Sequence, residues 1–215
     1  MHIVDLSHAI KADMPVWPGT PQPEFAPLCS IGRDGFAEQS IRLSSHTGTH
    51  LDAPSHIIEG GDSLDRIDIG QFYGKGMLID LRDAAGSIVP LEALKCFGPL
   101  ISECDFILLH TGWSRFWGHE GYNSGYPVLA QEAASWISGF SIKGIGADAP
   151  SFDLSDSAHY PVHRQLLGAG VLLIENLTNF SSLPETGFFL SVLPLPVEGA
   201  DASPVRAVAL VPVSR

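Results

Sequence analysis

Four side chains that commonly bind metal ions or move protons fall within a short segment of this chain. His46, His50, Asp52 and His56 stand at offsets of zero, four, six and ten, in a chain of 215 residues with nine histidines. Because all these offsets are even, an extended backbone would direct the four side chains to one face. A helix would instead place Asp52 about 120° away from His46 around its axis. The spacing therefore predicts an extended segment that presents a cluster of ligands.

This segment should also bend. A straight strand would separate the Cα atoms of His46 and His50 by roughly 13 Å, near the limit at which two imidazoles can reach one ion. Gly48 and Pro54 are the positions at which a bend costs least, since glycine accepts unusual dihedral angles and proline interrupts ladder pairing.

The ligand types indicate the chemistry. Imidazole and carboxylate groups suit Zn²⁺ and Mn²⁺, and a site with few protein ligands keeps a position for water. Such a cation lowers the pKa of water enough to make it a nucleophile at neutral pH, and a nearby histidine can then transfer protons. The structural alternative is a polar turn whose histidines bind backbone carbonyls, but the density of histidines favours a metal site.

A second candidate group lies near residue 170. The pattern predicts a helix over 161–167 that carries His163, a glycine turn, and an apolar strand over 171–174 that ends at Glu175. A glutamate after four aliphatic residues is costly to bury without a cation, which makes Glu175 a candidate second ligand. The alternative places Glu175 in solvent and His163 on an exposed helix face, and His159 is a spare candidate ligand.

The remaining pattern predicts a mixed α/β fold. Short aliphatic runs without alternation are typical of strands that are covered on both faces, and helical segments separate them. Two C-terminal strands are expected to pair antiparallel, and a partly alternating strand near residue 40 is expected to join the same sheet. The predicted strands are 36–43, 77–81, 106–110, 142–147, 171–174, 188–195 and 205–213, and the predicted helices are 91–97, 129–138 and 161–167.

Composition narrows the class of protein. The length and the 45% of apolar residues suit one domain, 1–215, with a substantial core. A formal charge of −12 disfavours nucleic acid and anionic membrane surfaces as partners. Cys29, Cys96 and Cys104 lack metal-site spacing and are expected to be reduced thiols. With no signal segment or spanning run in the sequence, a cytoplasmic protein is the expectation.

At these residues the chain resembles the metal-dependent cyclase family, which includes kynurenine formamidase-like hydrolases. The family signature His-x-Gly-Thr-His-x-Asp-x-Pro-x-His matches residues 46–56 at every position. Further similarity lies in Asp5-Leu6-Ser7-His8, Trp17-Pro18-Gly19, Glu175-Asn176-Leu177 and Pro204-Val205-Arg206, so the resemblance covers nearly the whole chain.

The resemblance implies a fold, an assembly and roles for several of the matched residues. It implies a mixed sheet curled into a barrel-like core with surrounding helices, assembled as a dimer or higher oligomer. The implied metal ligands are His46, His50, Asp52, His163 and Glu175, which hold one or two Zn²⁺ ions, or Mn²⁺, with Asp52 shared between two ions. The resemblance further implies that His56 donates and accepts protons and that Trp17 lines the substrate pocket.

The resemblance implies hydrolysis of an aryl formamide such as N-formylkynurenine, a step of tryptophan catabolism. The same site would also suit the opening of a cyclic amide or imide such as isatin. A third hypothesis, from another class, is a metal-binding module without turnover. His56 argues against that module, because a histidine beyond the minimum ligand set has a natural role in proton transfer.

Overall fold

The computed structural model describes residues 1–83 and 88–212, which form a curled mixed sheet with helices packed on it. The predicted mixed α/β fold is therefore confirmed. The strands in these ranges are β1 (His2–Asp5), β2 (Glu24–Cys29), β3 (Glu38–Arg42), β4 (His50–Asp52), β5 (Tyr73–Asp80), β6 (Ile88–Val89), β7 (Phe106–His110), β8 (Val128–Leu129), β9 (Gly144–Ala147), β10 (Leu172–Glu175), β11 (Phe188–Ser191), β12 (Ala202–Pro204) and β13 (Val208–Val211). The α-helices are α1 (Ile31–Asp34), α2 (Gly98–Ile101), α3 (Gln131–Ile137) and α4 (Pro161–Gly168).

Nine of these strands form the main sheet, in the order β1-β13-β11-β5-β7-β9-β10-β4-β12. Its centre is the parallel set β5, β7, β9 and β10, and these are the four strands predicted from aliphatic runs. The strand β7 has the predicted bounds, and the other three differ from prediction at their ends. Parallel pairing explains the lack of alternation, because helices and chain returns cover both faces of such strands.

Side chains from the parallel strands build a core on each face of the sheet. One face packs against the buried residues of α3 and α4, and the other lies inside the curl against β11. Each large aliphatic side chain buried in this way contributes about 1.5–3 kcal/mol, so both faces help to hold the strands in place. The first face contributes Met77, Ile79, Ile107, Leu109, Ile145 and Leu173, and the second contributes Leu78, Phe106, Leu108, Leu172 and Ile174.

The predicted antiparallel pair near the C-terminus is confirmed, since β11 pairs with β13 and Phe189 lies opposite Leu210. Both strands are shorter than predicted. The chain between them crosses to the opposite edge of the sheet and forms β12 there, on β4. Pro194 and Pro196, which have no backbone N–H, follow β11 closely. Val213, the predicted end of the last strand, lies outside the described residues.

The prediction that the segment 36–43 joins the main sheet is wrong. Its strand, β3, pairs antiparallel with β2 in a separate two-stranded arm. The side chains of β3 are all exposed. The strand β2, which is near in sequence, pairs with β3 instead of the main sheet. The partial alternation of 36–43 is compatible with either partner.

The predicted helices are borne out in part. The helix predicted over 129–138 is α3, preceded by the short strand β8, and the helix predicted over 161–167 is α4. The segment 91–97 instead forms two 3₁₀ turns, and α2 begins directly afterwards. None of the helices in the described residues has the length and apolar character that crossing a membrane requires.

The sheet brings the two candidate segments side by side. The strand β4, which carries His50 and Asp52, lies between β10 and β12 and runs antiparallel to both. In this register His50 lies opposite Glu175, the last residue of β10. Side chains 125 positions apart in sequence therefore become cross-strand neighbours.

Candidate active site

The histidine-rich segment is extended over three residues, fewer than the extended segment with bends that the spacing predicted. His46 precedes a turn at Gly48, the strand β4 covers His50–Asp52, and Pro54–His56 form a 3₁₀ turn. The two bends fall at the glycine and the proline, as expected. Gly48 has a φ of 66°, and a Cβ there would lie 3.3 Å from Cε of Met14. Both observations explain why glycine occupies this turn.

These bends bring the ligand candidates together around Asp52, which is 1% exposed. His46 Nδ1 lies 2.9 Å from Asp52 Oδ1, and His50 Nε2 lies 3.4 Å from the same oxygen. His50 Nε2 is also 3.4 Å from Glu175 Oε2. The expectation that Glu175 could end its strand in solvent is wrong, since this residue is only 5% exposed.

Several buried atoms of this cluster make no hydrogen bond among the described residues. They are His50 Nε2, both carboxylate oxygens of Asp52 and Glu175 Oε1. A buried polar atom without a partner is costly, so these atoms fit a site that binds a cation. Within residues 1–83 and 88–212, two groups have ligand atoms close enough to hold one ion: His50 with Asp52 and Glu175, and His46 with Asp52 and His56.

His163 lies on the other side of the two carboxylates. It is 4% exposed, so the alternative of an exposed helix face is wrong, and its Nε2 lies 3.3 Å from Glu175 Oε1 and 3.8 Å from Asp52 Oδ2. His159, the spare candidate, is exposed and does not line the cavity that opens over this cluster. The structure therefore groups His163, and not His159, with the acidic pair.

Asp153 positions His163 and was missed by the sequence analysis. Its Oδ2 lies 2.7 Å from His163 Nδ1 and accepts the backbone N–H of His163 at 3.0 Å, while Oδ1 accepts the N–H of Val162. The carboxylate thus caps the first turn of α4 and leaves Nε2 of the histidine directed at Glu175. An acid shortly after the buried strand β9 was the only sequence signal for it.

The turn at Gly48 positions the ring of His50 in a similar way. His50 Nδ1 lies 2.8 Å from the Gly48 carbonyl oxygen, which also accepts the side-chain amide of Asn176 at 3.0 Å. Asn176 Oδ1 accepts the hydroxyl of Tyr122 at 2.8 Å, so the end of β10 is tied to this turn. One nitrogen of His50 is therefore held by the backbone while the other faces the acidic pair, an arrangement typical of metal-binding histidines.

The carboxylates control the protonation of the buried histidines. Burial lowers the pKa of His46, but the carboxylates of Asp52 and Asp201 raise that pKa by more, to about 10. Burial likewise lowers the pKa of His163, but Asp153 and Glu175 raise it to about 10. Without a cation, both rings are therefore protonated at neutral pH.

The acidic groups shift in the complementary direction. Burial raises the pKa of Asp52, but the charges of His46 and His50 hold it well below its usual range. Burial also raises the pKa of Glu175, but the close contacts with the imidazoles of His163 and His50 lower it by more. Both carboxylates are therefore ionised at neutral pH and available as ligands.

His56 differs from the other three histidines in its environment. About a third of its side chain is exposed, and its ring centroid lies 4.2 Å from that of His46. Burial lowers the pKa of His56, and the positive charges of His46 and His163 lower it further, against the opposing effect of Asp52. His56 is therefore neutral at pH 7, the state in which an imidazole can accept a proton.

A cavity of about 480 Å³ opens over this cluster, within the size range of small-molecule sites. Trp17 lines the cavity, and its ring also makes an edge contact with Tyr126 at 6.5 Å. Tyr122 and Tyr160 line it as well, and among the described residues Arg164 is the only lysine or arginine that lines it. The cavity thus combines aromatic walls with the acidic and imidazole groups at its base.

Comparison with known proteins agrees with this geometry. The family model described as putative cyclase matches residues 4–154. A kynurenine formamidase of Salinibacter ruber is 30% identical over 97% of both chains. The solved structure of isatin hydrolase A from Labrenzia aggregata, bound to benzyl benzoate, has a TM-score of 0.87 and 29% identity, over 98% of this chain and 93% of that one. A structure described as a potential metal-dependent hydrolase with cyclase activity has a TM-score of 0.82 and 28% identity, over 99% of both chains.

Proposed function

The chain belongs to the putative cyclase family, and from this membership we propose that it is a metal-dependent amidohydrolase that cleaves an aryl formamide, with residues 1–215 acting as one domain. The carbon–nitrogen bond that it cleaves is of a non-peptide type, as in its relatives named kynurenine formamidase and isatin hydrolase. The observation that carries this proposal is the buried convergence of His50, Asp52 and Glu175 with unpartnered ligand atoms.

The residues of the cluster fit one or two divalent cations. His46, His50 and Asp52 would hold the first ion, and His163 and Glu175 would hold a second that shares Asp52. Nitrogen and oxygen ligands in this ratio suit Zn²⁺, with Mn²⁺ as the alternative. A bound ion of this kind supplies Lewis acidity, which makes water more acidic and polarises a carbonyl group.

His56 would move the proton in this reaction. Its ring is neutral at pH 7 and lines the cavity beside the ligands, so it can accept a proton from water and pass it to the leaving nitrogen. Proton transfer by a positioned histidine typically contributes 10²- to 10⁴-fold in rate, which is the share we assign to His56.

The walls of the cavity would bind the aryl part of the substrate. Trp17 and Tyr160 both line the cavity and offer aromatic rings to a substrate. Tyr160 directly precedes α4. Stacking between aromatic rings contributes about 0.5–1.5 kcal/mol beyond the burial of area. N-formylkynurenine carries such a ring beside its formamide, so it is the first substrate to test.

The alternative substrate is a cyclic amide or imide such as isatin. The observation that favours it is the similarity to isatin hydrolase A over nearly the whole chain, with a TM-score of 0.87. The same cluster would serve both reactions, since each begins with attack on an amide carbonyl. The choice between them depends on how the cavity walls fit each substrate.

One experiment tests the proposed function against both the alternative substrate and a module without turnover. The purified protein is analysed for zinc and manganese and then assayed by absorbance with N-formylkynurenine and with isatin, before and after treatment with a chelator. We expect a divalent metal and hydrolysis of N-formylkynurenine that the chelator abolishes. Turnover of isatin alone would favour the second substrate, and bound metal with no turnover of either would favour the module.

We also propose that the chain forms a homo-oligomer, a dimer or a tetramer, through the arm of β2 and β3. Large apolar side chains on and beside this arm are exposed, and such side chains near one another mark surfaces that bind a partner. Light scattering after gel filtration should give a multiple of 23.0 kDa, and Ile41→Lys should reduce it toward the monomer. A monomeric parent chain would contradict the proposal. The exposed residues are Phe25, Leu28, Ile31, Phe36, Ile41 and Leu43.

The site of action is proposed to be the cytoplasm, with a small molecule as the only ligand class besides metal ions. The formal charge of −12 disfavours nucleic acid and anionic lipid surfaces, and the three cysteines are all unpaired thiols. Cell fractionation with an antibody against the native protein tests this assignment, and recovery from the membrane fraction would contradict it.

A further inference from the structure

One carboxylate outside the histidine-rich segment contacts two of its histidines. Asp201 Oδ2 lies 3.0 Å from His46 Nε2 and 3.3 Å from His56 Nδ1. The two rings belong to the proposed first-ion ligand and to the proposed proton carrier. Asp201 directly precedes β12, the edge strand next to β4, so the sheet topology places it here.

The loop that carries Asp201 also has anchors that do not involve the carboxylate. Its carbonyl oxygen accepts the N–H of Ala53 at 2.8 Å. Two residues earlier, the N–H of Gly199 donates to Asp65 Oδ1 at 3.0 Å. The carboxylate of Asp201 is therefore not the sole anchor of the loop, and its own partners are His46, His56 and the side chain of Ser45.

An ionised carboxylate can only accept hydrogen bonds, and a neutral imidazole has one donor and one acceptor nitrogen. Contact with Asp201 therefore places the N–H of His46 on Nε2 and the N–H of His56 on Nδ1. In His46 the other nitrogen, Nδ1, lies 2.9 Å from Asp52 Oδ1. A cation bound there would replace the proton on Nδ1, and the N–H on Nε2 would remain. In His56 it leaves Nε2 as the nitrogen that can accept a proton.

We propose that Asp201 is a positioning residue that fixes the ring orientation and tautomer of both His46 and His56. The proposal rests on the proposed function for the roles of the two histidines. A single carboxylate would then prepare a metal ligand and a proton acceptor together. Carboxylates behind metal-binding histidines typically contribute about 10- to 100-fold in metal affinity or activity.

The test uses Asp201→Ala and Asp201→Asn in the full chain, with Asp65→Ala as the matched control. Asp65→Ala removes an anchor of the same loop without touching either histidine. Zinc affinity is measured by competition with a chromogenic chelator, which needs no substrate, and kcat and KM are measured at saturating zinc. Each Asp201 variant is also made in the His56→Ala background.

Asp201→Ala should weaken zinc binding about tenfold and lower kcat about 10- to 100-fold, with KM changed less than about threefold. Asp201→Asn, which keeps an acceptor oxygen, should recover part of both losses, and Asp65→Ala should stay within about twofold of the parent. In the His56→Ala background the loss of zinc affinity should persist through His46, whereas the additional loss of kcat should disappear.

Zinc affinity within twofold of the parent in Asp201→Ala would overturn the positioning of His46. A loss of kcat that persists undiminished without His56 would overturn the positioning of that ring. If Asp65→Ala reproduces the losses of Asp201→Ala, loop anchoring explains them and the proposal is wrong. If the parent hydrolyses no aryl amide, the proposed function fails, and the chelator measurement alone decides whether Asp201 positions His46.

Discussion

Substituting Asp153 with asparagine removes one of the two acceptor oxygens that bind the start of α4 and the ring of His163. The aspartate oxygens accept three hydrogen bonds, from Val162 N–H, His163 N–H and the ring Nδ1 of His163. Asparagine has a single acceptor oxygen, so its amide group must face either the helix N–H of Val162 or the donors of His163. If it faces the ring, Nδ1 becomes an acceptor and the proton moves to Nε2, the nitrogen directed at Glu175.

The size of the effect follows from these contacts. A histidine with its proton on Nε2 cannot bind a cation there, and loss of such a supporting partner typically weakens metal binding about 10- to 100-fold. This corresponds to about 1.4–2.8 kcal/mol of binding free energy. A buried donor left without an acceptor separately lowers the free energy of unfolding by about 1–3 kcal/mol.

A double-mutant cycle with His163→Ala separates the two effects. Zinc affinity is measured by chelator competition, and the free energy of unfolding of the metal-free proteins is measured in urea. In the His163→Ala background, Asp153→Asn should change zinc affinity by less than about twofold. The free energy of unfolding should still fall, because a donor at the start of α4 still loses its acceptor. The reasoning is refuted if Asp153→Asn leaves zinc affinity unchanged in the parent, or weakens it equally when His163 is absent.

Four other predictions test the protonation and the geometry of the site. His56→Ala should keep its metal content and lose about 10²- to 10⁴-fold in kcat; unchanged turnover would remove this residue from the mechanism. Since the pKa values of His46 and His163 are about 10 without metal, zinc binding at pH 7 should release protons and tighten as pH rises toward 10. Calorimetry in buffers of different ionisation enthalpy counts these protons, and no release would contradict the assignment. Because folding raises the pKa of both rings from 6.5 to about 10, they should stabilise the metal-free protein fully below about pH 6.5. This stabilisation should disappear by about pH 10, and urea unfolding at a series of pH values measures it. Gly48→Ala should lower the free energy of unfolding by about 1–2 kcal/mol and also weaken zinc binding. Gly60→Ala is the control, since Gly60 has a φ of 74° and open space around it. This variant should lower the free energy of unfolding and leave zinc affinity unchanged.

Much of the fold could be predicted because burial leaves a local trace. The aliphatic runs of β7 and β10 identified strands covered on both faces, and β7 has the predicted bounds. The arm could not be predicted in the same way. Its strand β3 carries a partial alternation that suits the edge of a large sheet as well as a separate pair, and the choice depends on which partner is nearby in space.

The sequence predicted the ligands of the site most directly in one segment, and it offered His163 and Glu175 as candidates in a second segment whose solvent exposure stayed open. The spacing of His46, His50 and Asp52, with a glycine at the first bend, already predicted a cation-binding cluster, because ligand type and backbone freedom are local properties. The predicted bends at Gly48 and Pro54 are present, but the extended part between them is only three residues long.

Only the tertiary structure decided which distant groups complete the site. The register of β4 on β10 places His50 opposite Glu175, and a shift by one residue would direct every side chain of β4 to the other face. Asp153 and Asp201 reach their histidines from loops after β9 and before β12, where the sequence shows only an acid in a turn. Such contacts depend on strand pairing between remote segments, which is set by the packing of the whole sheet and leaves no pattern in the neighbouring residues.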